Sequence, residues 1–146
     1  MKASGFFNKK EKEKITLAIK EAELNTSGEI RVHIEGKCRE EVMDRAVYIF
    51  EKLGMHNTEL RNGVLFYLAV NDHKFAILGD AGINQGVPDD FWDEIKKSML
   101  DFFSEKQFSE GLSQGIKMAG EQLKNHFPYQ KDDINELPDE ISFGKE

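Results

Sequence analysis

From Lys9 to Leu24 the apolar residues Ile15, Ala18, Ile19 and Ala22 fall at i, i+3, i+4 and i+7. That spacing turns one stripe of a helix inward and leaves the Lys/Glu alternation of residues 9 to 14 in water. Asn8 followed by Glu11 predicts a capping box at its start, because each side chain can accept an orphan backbone N–H. Beyond Gly28 the period drops to two: Ile30, Val32 and Ile34 alternate with Glu29, Arg31, His33 and Glu35, which predicts a strand covered more on one face than the other. Helical spacing returns at Val42, Ala46, Ile49, Phe50 and Leu53, giving a second helix over residues 39 to 53 with Gly54 as its left-handed C-terminal cap. Gly63 then opens the unbroken apolar run Val64 to Val70, which suits a central strand buried on both faces. Asn71-Asp72-His73 predicts a turn, and Lys74 to Leu78 returns antiparallel. Two more helices are expected, from Pro88 or Asp89 to Ser104 and from Phe108 to Phe127, with Phe91, Ile95, Met99, Phe102, Leu112, Ile116, Ala119 and Leu123 inward.

Strand, helix and strand in that order form the crossover that joins parallel neighbours. The expected architecture is therefore α/β: a small mixed sheet covered by about four helices, spanning residues 1 to 127. Gly111 and Gly115, four apart on the last helix, predict close backbone packing. Residues 128 to 146 hold Pro128 and Pro138 and few large apolar residues, so they are expected as an acidic tail, extended or loosely docked, with Ile134, Leu137, Ile141 and Phe143 able to dock part of it.

Length and charge narrow the class. With 146 residues and 32% charged, one soluble globular domain is expected. The formal charge is −7. In the tail Lys131 and Lys145 face Asp132, Asp133, Glu136, Asp139, Glu140 and Glu146, so more than half of the net charge sits there. An acidic chain disfavours nucleic acid. No apolar run approaches the ~20 residues that span a bilayer, so no membrane anchor is expected. The single cysteine, Cys38, suits a reducing, cytoplasmic location and reads as a small buried hydrophobe.

If the first two strands are parallel and the third antiparallel, the loops entering the first two and leaving the third share one edge of the sheet. These are Thr26-Ser27-Gly28-Glu29, Leu60-Arg61-Asn62-Gly63 and the Gly-rich stretch from Gly79-Asp80-Ala81-Gly82 to Asp89-Asp90. They converge carboxylates Glu29, Asp80, Asp89 and Asp90, the Asn62 amide, the Thr26 and Ser27 hydroxyls and backbone carbonyls. Hard oxygen donors on flexible loops are what Ca²⁺ or Mg²⁺ requires. A second reading stays open: Asp89 and Asp90 as helix cap and dipole partners, and Glu29 paired with Arg31 or Arg61. Asp80 has no evident cap to serve and is the strongest ligand candidate. His33, His56, His73 and His126 are scattered and expected at the surface. There is no GxSxG elbow, P-loop or GxGxxG fingerprint, and no catalytic residue is singled out.

At these loops the chain resembles the TPM domain family. The resemblance is carried by Thr26-Ser27-Gly28-Glu29-Ile30-Arg31-Val32, Phe50-Glu51-Lys52-Leu53-Gly54-Met55, Asn62-Gly63-Val64-Leu65-Phe66-Tyr67-Leu68-Ala69, Gly79-Asp80-Ala81-Gly82-Ile83 and Phe108-Ser109-Glu110-Gly111-Leu112. The ending Asn135 to Ser142 resembles that of a short soluble subgroup without signal peptide or membrane anchor. The resemblance implies a three-layer α/β/α sandwich and a divalent cation in the loop cluster. For a plant thylakoid-lumen relative it implies acid phosphatase activity on a phosphorylated substrate. The chain departs from many members in carrying Arg61 where they have an acidic residue. Two functions follow as expectations: a cation-dependent phosphomonoesterase, or a non-enzymatic module whose loops are ordered by the cation and whose tail engages a protein partner.

Overall fold

The structure, a computed structural model, describes residues 3–129 and 137–144. After a single turn α1 (Ala3–Phe6), α2 (Lys9–Glu23) begins with both halves of the capping box in place. The Glu11 N–H donates to Asn8 Oδ1 at 2.8 Å and the Asn8 N–H to Glu11 Oε1 at 2.9 Å. Next come β1 (Glu29–Glu35), α3 (Val42–Lys52), β2 (Gly63–Ala69) and β3 (Lys74–Gly79). The chain continues through a one-turn α4 (Ala81–Asn84), α5 (Asp93–Ser104), α6 (Phe108–Leu123) and β4 (Ser142–Phe143). The last two long helices are shorter than their apolar spacing predicts: α5 starts only at Asp93, and α6 ends at Leu123.

The sheet has the order β3-β2-β1-β4. β1 and β2 are parallel from Glu29 opposite Gly63 to Glu35 opposite Ala69, with α3 as the crossover. β2 and β3 are antiparallel, Val64 opposite Gly79. The tail supplies β4, parallel to β1 with His33 opposite Ser142 and Ile34 opposite Phe143. Leu137, Ile141 and Phe143 thus dock, while Ile134 lies outside the described residues.

Alternation sorts the sheet's two faces. Ile30, Val32, Ile34, Val64, Phe66 and Leu68 pack against Ile15 and Ile19 of α2, Ile95 and Met99 of α5, and Leu112, Ile116 and Ala119 of α6. Leu65, Tyr67, Ala69 and Ala76 pack on the other face with Ala46, Ile49 and Phe50 of α3, Cys38, Met55 and the tail residue Leu137. The result is a three-layer α/β/α sandwich. Both faces of β1 are covered, so Glu29, His33 and Glu35 are buried among the α3 layer. This corrects the expectation of a surface His33. Among the described residues no helix is long and apolar enough to cross a membrane.

The stripe of small residues on α6 sets helix spacing. A Cβ at Gly111 would meet the Phe103 ring at 2.5 Å, one at Gly115 the Met99 sulfur at 2.5 Å, and one at Gly120 the Ala22 Cβ at 2.7 Å. Gly120→Ala is expected to lower stability by about 1–3 kcal/mol despite alanine's better helix propensity, because backbone faces backbone there and cannot give way. Gly5→Ala, with open space around it, should stay within about 0.5 kcal/mol of the parent. Urea unfolding midpoints measure both, and equal midpoints for the two variants would contradict this account of the α2–α6 contact.

Candidate functional site

The three loops do meet at one rim. The Glu29 N–H donates to Asn62 O at 2.9 Å, the Asp80 N–H to Gly63 O at 2.9 Å, and the Gly82 N–H to Arg61 O at 2.9 Å. The Asn62 amide reaches back and donates from Nδ2 to Ser27 O at 2.6 Å. The 26–28 loop is fixed from behind: the Ser27 N–H donates to Phe127 O at 2.9 Å, the Thr26 hydroxyl donates to the same carbonyl, and Thr26 pairs with Pro128 in an isolated bridge. Gly82 sits where the 60–62 and 80–82 segments cross. A Cβ there would fall 2.1 Å from Leu60 O and 2.6 Å from Arg61 O.

Asp80 has a cap to serve after all. It is the N-cap of α4, Oδ1 accepting from the Ala81 N–H at 2.7 Å. Arg61, held at φ +51°, closes a two-pronged bridge onto it, Nε to Oδ2 and Nη2 to Oδ1, each 2.7 Å. Burial pushes the Asp80 carboxyl up, but the guanidinium and the Ala81 N–H outweigh it and hold the group below its ordinary range. The Asp80 side chain is 5% exposed and that of Arg61 51%. Glu29 is buried and accepts the Leu137 N–H, a tail backbone group, at 2.7 Å through Oε1. Asp89 and Asp90 lie exposed in the turn before α5 rather than at its start.

Among the described residues the buried oxygen Asn62 Oδ1 has no hydrogen-bond donor. Buried amide oxygens are rarely left so, since the lost hydration costs about 1–3 kcal/mol. Among the described residues no three His, Cys, Asp or Glu side chains converge to hold an ion. The rim is therefore a set of oxygen donors already partly engaged, not a preformed cage. A cavity of about 330 Å³ opens beside the Arg61–Asp80 bridge, between Val47, Phe50 and Glu51 of α3, His56 and Leu78.

The profile of the TPM domain matches residues 1–122. The chain belongs to the TPM domain family. Among solved structures this TPM domain is similar to the BA42 protein of the psychrophilic bacterium Bizionia argentinensis, at 49% identity and a TM-score of 0.92 over 98% of this chain and 99% of that one. Two remoter structures share the fold alone. One is the N-terminal domain of the cg2496 protein of Corynebacterium glutamicum, at 13% identity and TM-score 0.66 over 81% and 74% of the two chains. The other is an N-terminal domain from P. gingivalis, at 18% identity and TM-score 0.69 over 87% and 84%. No curated protein matches the TPM domain described here.

At the far end of β1 this TPM domain holds a second polar cluster that the strand's alternation hides. Glu35 accepts from Arg45 Nε at 3.0 Å and Nη2 at 2.6 Å and from the Tyr67 hydroxyl at 2.6 Å. His33 Nε2 lies 3.2 Å from Glu35 Oε1, without hydrogen-bond alignment, and Nδ1 lies 2.9 Å from Ser142 Oγ. The signal was present as four polar residues on one strand phase with Arg45 on the crossover helix. It could not be told from a solvated face without knowing that α3 covers it. Burial raises the Glu35 carboxyl, and its His33, Arg45 and Tyr67 neighbours overcome this and bring it down to about 2.

A carboxyl lowered in the fold binds fewer protons than in the unfolded chain, so its contribution is present above the ordinary value of 4.5 and lost as pH falls toward about 2. Thermal unfolding followed between these limits should show that loss. Glu35→Gln should flatten it and cost ~3 kcal/mol at neutral pH, because Arg45 and Tyr67 lose their acceptor charge. An acid slope identical in parent and variant would contradict the assignment.

Proposed function

We propose that this TPM domain is a divalent-cation-responsive module, with Ca²⁺ or Mg²⁺ taken at the rim by Asp80, Asn62 and Glu29 and with Asp89 or Asp90 able to complete the set. The observation that carries the reading is the donorless, buried Asn62 Oδ1 at the junction of the three loops. The chemistry of the donor set fits: every candidate is a hard oxygen, as these ions demand. The fit requires Arg61 to give up Asp80, and its half-exposed side chain has water to move into. Bound there, a divalent cation would cross-link three loops and would polarise a phosphoryl oxygen if one were presented.

The residues support ordering more than hydrolysis. Asp80 has both oxygens engaged and a carboxyl held low, so it is neither a proton donor nor an available base near neutral pH. Phosphomonoesterase activity therefore ranks second, with the cavity beside Arg61 and His56 as the place a phosphate ester would enter. The acidic tail remains the proposed contact for a protein partner. Buried, single Cys38 supports a reducing, cytoplasmic setting.

Titrating Ca²⁺ and Mg²⁺ separately into isotope-labelled protein should move amide resonances of residues 26 to 29, 61 to 63 and 79 to 90. Asp80→Asn should weaken binding about tenfold or more, and Arg61→Ala should strengthen it because the internal competitor is gone, each tenfold step being ~1.4 kcal/mol. A general phosphomonoester should show no turnover with Mg²⁺, Ca²⁺ or neither. Turnover abolished by Asp80→Ala would replace the module with an enzyme, and resonances unmoved by both ions would end the cation reading.

A further inference from the structure

The tail segment 137–144 lies along β1 from the rim to the far cluster, and its contacts are of two kinds. At the far end it is held as a strand: the Gly144 N–H donates to Ile34 O at 2.8 Å, Ser142 Oγ meets His33 Nδ1, and Lys12 Nζ sits 5.1 Å from the centre of the Phe143 ring. Gly144 crosses the polar cluster so closely that a Cβ would fall 2.4 Å from Glu35 Oε1. At the rim end it is held by acids of the body. Leu137 is buried against Gly63, its N–H donates to Glu29, and Asp139 hydrogen-bonds the half-buried Glu23 carboxyl, which also accepts the Ile30 N–H at 2.9 Å.

Glu29 is thus claimed twice, by the Leu137 amide in the structure and by the cation in the reading above. We infer that the 137–144 strap is the output of the rim site: cation and strap compete for the Glu29 carboxylate, so occupancy of the rim loosens the strap from the β1 edge. This rests on the cation reading. The competition follows from charge: a divalent ion attracts a buried carboxylate far more strongly than a neutral backbone N–H does. Linkage makes the effect reciprocal, so a weaker strap must mean a tighter cation site.

The test is one titration of the full chain with Ca²⁺ and, in parallel, Mg²⁺, reading amide resonances of residues 61 to 63 and 79 to 82 for the rim and of Leu137, Ser142, Phe143 and Gly144 for the strap. In the parent protein both sets should move with a common midpoint, and hydrogen-exchange protection of the Gly144 amide should drop at saturation. Glu29→Gln keeps an oxygen for the Leu137 N–H but removes the charge, so its strap should stay docked at every ion concentration while the Asp80 rim still responds. Leu137→Ala should shift the rim midpoint to lower cation concentration, with unmoved resonances in α5 and α6 showing that the variant is folded. Rim shifts with a motionless strap in the parent would overturn the coupling and leave the cation reading standing. A strap that still responds in Glu29→Gln would overturn the shared-carboxylate route, and silence at both places would overturn the cation reading and the coupling together.

Discussion

Parallel pairing of β1 with β2, in the register that sets Glu29 opposite Gly63, obliges the chain to cross the sheet between them, and α3 makes that crossing. Once the two strands run the same way, the segments entering both must open at one end of the sheet. β3, returning antiparallel from a tight turn, must close at that same end. The meeting of residues 26–29, 60–63 and 79–82 is therefore a consequence of chain direction, and the backbone bonds from Glu29 to Asn62, Asp80 to Gly63 and Gly82 to Arg61 tie it down. No side chain at the rim is needed to explain why the loops are neighbours. Side chains decide only what the neighbours can hold.

What the sequence revealed and what it hid divide along a physical line. Alternation located β1, an unbroken apolar run β2, the turn after it β3, and helical spacing the four long helices, because polarity records burial. The direction of the strands followed from connection length. Three features escaped. His33 and Glu35 sit on a polar phase that looks solvated, and only the docking of α3 and the strap puts them inside. The single turn α4 is too short to show a period, so Asp80 was not recognised as its cap. β4 has two residues and no alternation to find, and its place is set by contacts with His33 and Ile34 far away in the chain. Arg61 was visible as a departure from the family pattern, yet its bridge to Asp80 depends on a left-handed backbone that the Arg-Asn-Gly sequence does not announce.

Four acids taken out of water on the α3 side or along the strap illustrate how one problem is solved by different partners. A carboxylate loses hydration on burial and must be answered by charge, by hydrogen bonds or by a proton. Glu35 has a guanidinium and a phenol. Asp80 has a guanidinium and a helix N-terminus. Glu29 accepts a tail amide. Glu23, beside Asp139, keeps its proton: burial first and the neighbouring carboxylate second raise it to about 9. Each of the four is thus answered by groups of the chain itself or by a proton.

The sandwich is also mechanically lopsided. On the side of α2, α5 and α6, Gly120 lets α6 meet the α2 backbone at Ala22, while Gly111 and Gly115 make room for the Phe103 ring and the Met99 side chain of α5. On the other side the sheet is covered by α3, whose Met43, Val47 and Tyr48 are exposed, together with Cys38, Met55 and the tail residue Leu137. The sheet is thus backed by three helices on one face and by α3 on the other, and Leu137 and the Arg61–Asp80 bridge border that thinner layer.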